Sequence, residues 1–232
     1  MRHLLLLCPM LLLAACRAAP TPEALVAVAP PAAVPATGLF AGTLPCADCP
    51  GIRTTLQLRP DARFLLHERY EGRGEQAVAS DFGHWQEADG RVTLAGKGQP
   101  RQFRRDGPDR LRLLDLAGSE IRSPLPYDLH RDTRTAAIAA PVSLHAAFTY
   151  QADAPRLRDC ATGLDLPVAM TADYPALERG YLAVRPAPGA PVVVQVDVTL
   201  EMQPAMEGDG RTESWVVRRF ATALPGAACP AG

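Results

Sequence analysis

RTTLQLRPDARFLLHERY, residues 53–70, decides the fold. Apolar and polar side chains alternate on both sides of Pro60-Asp61-Ala62, the mark of two half-buried strands joined by a tight turn. HWQEADGRVTL, residues 84–94, repeats the pattern around Asp89-Gly90, a dipeptide suited to a hairpin turn. RLRLLDL (110–116) and SEIRSPL (119–125) continue the meander across Gly118. No dozen residues of this block carry a 3.6-residue period. Residues 38–130 therefore read as all-β, and successive antiparallel strands are expected to close into a small barrel without exposed edges.

A spacer, residues 131–143, leads to a second β-rich block, residues 144–232. It holds AFTYQ (147–151), the apolar run PVVVQVDVTLEM (191–202), the turn EGDGR (207–211) and ESWVVRRFA (213–221). YPALERGYLAV (174–184) carries a faint helical signal. The length fits a five-stranded OB-like barrel, as it fits other small β folds.

Before the first strand the chain reads MRHLLLLCPMLLLAACRAAP. One basic residue, an apolar run over 4–13 and then small residues form an export signal, too short to span a bilayer. LAAC (13–16) looks like a bacterial lipobox, so residues 1–15 are expected to be removed and Cys16 acylated. Each buried methylene contributes roughly 0.8 kcal/mol, enough for two or three acyl chains to hold the protein on a membrane. By resemblance to enterobacterial lipoproteins, an Asp at position 17 would favour retention in the inner membrane, so Arg17 makes the outer membrane the expected address. Residues 16–37 are the lipidated cysteine and an Ala/Pro-rich tether that reaches about 60 Å if extended.

The chain has 24 basic and 25 acidic residues, and loss of Arg2 with the leader makes it slightly more acidic. Its arginines alternate with apolar residues rather than cluster, which excludes nucleic acid as the expected partner. A monomer is expected.

With Cys8 lost and Cys16 lipidated, four of the six cysteines remain. Of the three possible connectivities, Cys160 with Cys229 is expected as a structural bridge, because an exported domain favours oxidation. Closing that loop stabilises by on the order of 4 kcal/mol in the chain-entropy account.

Cys46 and Cys49, in LPCADCPGI (44–52), admit several readings. A thioredoxin-type pair needs a helix N-terminus to lower a thiol pKa, and here strands lie on both sides, with Asp48 disfavouring a thiolate. Zinc needs two further ligands, and His67, His84 and His130 are scattered. Cu(I) needs fewer ligands and prefers sulfur, with Met202 or Met206 as candidate helpers. A local disulfide stapling the turn is the remaining reading, and staple and sensor are compatible.

GTLPCADCPGIRTTLQLRPDARFLLHERYEG (42–72), with GHWQ and DGRVTL beyond it, resembles the N-terminal domain of the NlpE family of copper-resistance and envelope-stress lipoproteins. The resemblance covers about residues 38–120. It implies a lipocalin-like barrel, Cys16 as anchor, and a copper or redox role for Cys46 and Cys49. It also implies signalling to a sensor kinase, that of the Cpx two-component system. The family's enterobacterial member has an OB-fold C-terminal domain.

The leading expectation is thus a non-enzymatic outer-membrane lipoprotein that senses envelope conditions or copper and signals by protein contact. No cofactor is required, and Cu(I) at Cys46 and Cys49 is the candidate ligand. The chain shows no GxSxG, HExxH or P-loop. A second expectation is a carrier whose barrel binds a hydrophobic small molecule and whose cysteines are structural. A third is an enzyme using Glu68, Asp81 and Glu87, although charges alternating along strands are usually solvated faces.

Overall fold

The computed structural model describes residues 36–97, 99–135, 137–205 and 208–229. Cys8, Cys16, Met206 and the expected leader lie outside the described residues.

Eight strands form the first unit: β1 (Gly38–Leu44), β2 (Ile52–Leu58), β3 (Arg63–Tyr70), β4 (Val78–Ala88), β5 (Arg91–Ala95), β6 (Arg101–Arg105), β7 (Arg110–Leu113) and β8 (Asp128–Arg131). Each pairs antiparallel with the next, and β8 returns to β1 with Phe40 opposite Arg131 and Ala41 opposite His130. The barrel is closed, as the alternation predicts. Its turns follow their chemistry. Asp89 and Gly90 both take positive φ, 51° and 72°, the backbone of a two-residue hairpin loop. Arg59 and Arg63 close the three-residue loop over Pro60, Asp61 and Ala62, with Ala62 at φ 61°.

The interior is filled by the barrel's own side chains. Phe40, Leu56, Phe64, Phe103, Leu111 and Leu129 are each no more than 1% exposed, as expected for a barrel of this size. Both ends are plugged by ion pairs, Glu68 with Arg101 at one and Glu87 with Arg105 at the other. These observations leave little room for a ligand in the lumen.

The meander does not run on through residues 119–125 as the alternation led one to expect. Asp115 accepts a hydrogen bond from the Ser119 backbone N–H at 2.7 Å and curls the chain, so that Glu120 alone bridges, to Leu114. Pro124 and Pro126 lack the N–H that a ladder needs.

The second unit contains β9 (Val142–Gln151), β10 (Ala154–Asp159), β11 (Asp165–Pro167), α1 (Tyr174–Val184), β12 (Val192–Pro204) and β13 (Arg211–Leu224). The sheet order is β11-β10-β9-β12-β13, and a parallel bridge between Val168 and Trp215 joins its two edges. A three-stranded meander, a helix and two long strands closed in this way form an OB-type domain.

The weakly signalled helix is present. Tyr174, Leu177 and Tyr181 form its buried face, and the Tyr181 hydroxyl donates to the Ala190 carbonyl at 2.8 Å. Its start is fixed by Asp173, whose carboxylate accepts from the Phe220 backbone N–H at 2.7 Å, beside the register shift between Gln195 and Val196 on β12.

The two units share a core. On β3, Phe64 and Leu66 point into the barrel, yet Leu65 between them is also buried, because with Leu39 and Phe82 it packs against the OB-type domain. Polar links reinforce this junction. Arg59 forms a two-pronged pair with Glu213, at 2.9 and 2.8 Å, and the Ile138 backbone N–H donates to the Gln57 side chain.

Candidate functional site

The turn between β1 and β2 carries Cys46 and Cys49, bridged by a disulfide with their Cα atoms 5.3 Å apart. Strand geometry brings three loops to this barrel mouth besides the turn itself: those joining β3 to β4, β5 to β6, and β7 to β8. Through the first of these, Arg73 reaches the turn. Its guanidinium donates to the Asp48 carbonyl at 3.3 Å and pairs with the Asp48 carboxylate. Gly51 ends the turn where a Cβ would lie 2.5 Å from the Thr43 methyl, so the close approach of β1 and β2 there requires glycine. The Gly51 carbonyl accepts from the Glu71 backbone N–H at 2.9 Å. The turn is therefore held from both sides.

Cys46 Sγ lies 3.5 Å from Asp48 Oδ1, and Cys49 Sγ lies 3.3 Å from the Gly51 carbonyl oxygen. In the bridged form neither sulfur has a proton to donate. After two-electron reduction each thiol would face an acceptor oxygen. A thioredoxin-like activation is absent from this geometry, since the turn stands between strands and at no helix end.

Among the described residues, the cluster of three metal-capable side chains lies here: one ligand atom each from Cys46, Asp48 and Cys49, all within 4.8 Å of one another. The paired sulfurs fit a soft monovalent ion only in the reduced state, and the carboxylate is a harder donor beside them. His67, His84 and His130 stand on β3, β4 and β8 and join no such cluster. Burial, with Arg69 nearby, holds the His67 pKa below its ordinary value. Met202 sits on β12, opposite Glu213, which pairs with Arg59 beyond the end of β2 remote from Cys49. The fold does not bring Met202 to the turn.

Glu68, Asp81 and Glu87 do not form a reactive set. Glu68 is 3% exposed and accepts from Arg101 at 2.5 and 2.9 Å. That hydrogen bond, against the cost of burial, raises the Arg101 pKa. Glu87 meets Arg105 at 3.0 Å and accepts from the Ala36 backbone N–H at 3.1 Å, at the far mouth. Asp81 accepts from the backbone N–H groups of Phe82 and Lys97.

Cys160, at the end of β10, is bridged to Cys229 beyond β13, with Cα atoms 4.8 Å apart. Arg73 was not legible as a partner of the turn, being 25 residues from Asp48 along the chain. Its flanking glycines, Gly72 and Gly74, both at positive φ, signalled only a loop.

A closed barrel with a cysteine-bridged turn, joined to a disulfide-bonded OB-type domain, defines a two-domain all-β protein stapled by oxidised cysteines. Two family models match: "NlpE N-terminal domain" over residues 40–124 and "NlpE C-terminal OB domain" over residues 138–230. The chain belongs to the NlpE family. It is 39% identical over 167 residues to Lipoprotein NlpE of Escherichia coli (strain K12), covering 70% of this chain and 69% of that relative. It is also similar to a crystal structure of the Cpx pathway activator NlpE from Escherichia coli, at 31% identity. That match covers 83% of this chain and 98% of the other, with a TM-score of 0.37.

Proposed function

We propose that the protein is an outer-membrane lipoprotein of the NlpE type, anchored through Cys16 and facing the periplasm. It acts without catalysis in copper homeostasis and envelope-stress sensing, and it signals as a monomer by contact with a sensor kinase. The carrying observation is the Cys46–Cys49 bridge on an exposed turn, with the Asp48 carboxylate beside it. The two family-model matches and the 39% identity to Lipoprotein NlpE support the family part of this reading. The lipobox supports the anchor, and among the described residues no helix is long and apolar enough to cross a membrane.

Cys46 and Cys49, once reduced, would hold Cu(I), which supplies a thiolate-loving ion that reports the copper load. The work of the chain is to present the two sulfurs on a short loop, with the Asp48 carboxylate beside them. Asp48, tied to Arg73, fixes the loop's outer edge. Short-loop disulfides gain little from chain entropy, so opening this one should cost the fold less than opening the long-loop bridge.

The test is thiol labelling with intact mass, followed by anaerobic Cu(I) titration of the reduced protein against Cys46→Ser/Cys49→Ser. Tight uptake of one copper by the wild type alone supports the reading. A bridge that resists mild reduction, together with equal copper uptake by both proteins, overturns it.

A further inference from the structure

Where the flank of the barrel meets the second domain, the surface opens into a pocket of about 300 Å³. Phe82 and Lys97 come from the barrel, and Ser143, His145, Gln195 and Cys160 from the sheet. The volume lies at the small end of ligand pockets, and the wall is mostly apolar with a few polar groups, the usual make-up of such sites.

The polar groups are unequally satisfied. Asp159, also in the wall and 1% exposed, turns its Oδ2 to the Thr162 backbone N–H and hydroxyl, both at 2.8 Å. Asp197, behind Ser143, accepts from the Ser143 hydroxyl at 2.5 Å and from Arg219 at 2.7 Å. Lys97, the only lysine of the chain, donates to the Ser143 carbonyl and is in no ion pair among the described residues. The side chains of Gln195 and His145 make no hydrogen bond among the described residues. The Gln195 amide and the exposed His145 are thus available to a ligand, around one ammonium. The nearby Asp159 and Asp197 carboxylates disfavour a head group with two negative charges.

We propose that this pocket binds a small apolar molecule with one anionic head, of the medium-chain carboxylate class. The carboxylate sits on Lys97 and Gln195, and the chain lies against Phe82 and the wall at Cys160. The site is separate from the Cys46–Cys49 turn and stands whatever that turn does.

The test uses the full chain carrying Cys16→Ala, so that no lipid or detergent competes, with octanoate as probe in a calorimetric titration. Octanoate is expected to saturate one site, and octylamine, of equal length and opposite charge, to bind far more weakly. Lys97→Gln is expected to weaken octanoate about tenfold, the loss of one charge-assisted hydrogen bond. Ala161→Trp, at an exposed position on the rim, is expected to block it while leaving thermal unfolding unchanged. Absence of octanoate binding, equal binding of octylamine, or octanoate binding unaltered in both variants overturns the proposal.

Discussion

The ring of Phe82, on the outside of the barrel, meets the Trp215 indole edge-on, with centroids 5.7 Å apart and planes at 83°. Trp215 is fully buried and donates to the Leu157 carbonyl at 3.0 Å, so this contact joins the barrel wall to the centre of the OB-type core. Phe82→Ala should cost about 3–5 kcal/mol, as for other buried aromatic truncations. Because the contact crosses between units, the cost should appear as lost cooperativity. Trp85 lies in the barrel and Trp215 in the second domain. With both tryptophans kept, one urea transition is expected by near-ultraviolet circular dichroism in the wild type and two once Phe82 is truncated. Coincident transitions in the truncated protein would show that the coupling of the domains does not rest on Phe82.

Glu68 and Asp48 both pair with arginine at the same barrel mouth, yet their surroundings differ. The Glu68 side chain is 4% exposed, whereas the Asp48 side chain is 70% exposed and its partner Arg73 46%. Glu68→Gln should destabilise by about 2 kcal/mol, the upper range for a buried pair being relieved because Arg101 can turn towards water. Arg73→Gln should change stability by less than about 1 kcal/mol. Urea midpoints of the two variants decide the matter; equal effects would mean that burial at this mouth is not what sets the strength of the pairs.

The barrel was legible because its signals are local. Alternation over residues 53–59 and 63–70, and the Asp89-Gly90 turn, each depend on neighbours in sequence. The domain junction was not legible, because Leu39, Leu65 and Phe82 become core residues only when a surface more than 50 positions away covers them. Leu65 did leave a trace: three consecutive apolar residues, Phe64 to Leu66, break the alternation of β3. The helix was weakly marked because only Tyr174, Leu177 and Tyr181 carry its buried face. At the candidate site, the paired cysteines were legible from spacing and compartment, while the Arg73 brace depends on loops that the barrel brings to one mouth.

Asp197 should make the junction sensitive to acid. Burial pushes its pKa up, but the Ser143 hydroxyl, the Arg219 guanidinium and the Lys97 charge together hold it below the ordinary carboxylate range. A carboxylate with a depressed folded-state pKa stabilises the fold fully above its unfolded value, near about 4. That contribution fades as pH falls through the lower folded value. Asp197→Asn should therefore be less stable than wild type at pH 7, and the two should converge as pH drops below about 4. Stability differences measured by denaturant at successive pH values check this; a constant difference across the range would exclude the carboxylate's charge as the cause.

The two disulfides should contribute unequally. Cys160 and Cys229 are 69 positions apart, and Cys46 and Cys49 are 3 apart. Chain entropy then assigns about 4 kcal/mol to the long loop and about 2 kcal/mol to the short one. Cys160→Ser/Cys229→Ser should accordingly lose roughly twice as much stability as Cys46→Ser/Cys49→Ser in urea titrations of the oxidised proteins. The asymmetry bears on function, because a turn braced by Arg73 and by the β1–β2 ladder can open its bridge with the barrel still folded. Equal losses, or unfolding of the barrel when Cys46 and Cys49 are replaced, would make that bridge a structural requirement and leave the turn unable to switch within a native fold.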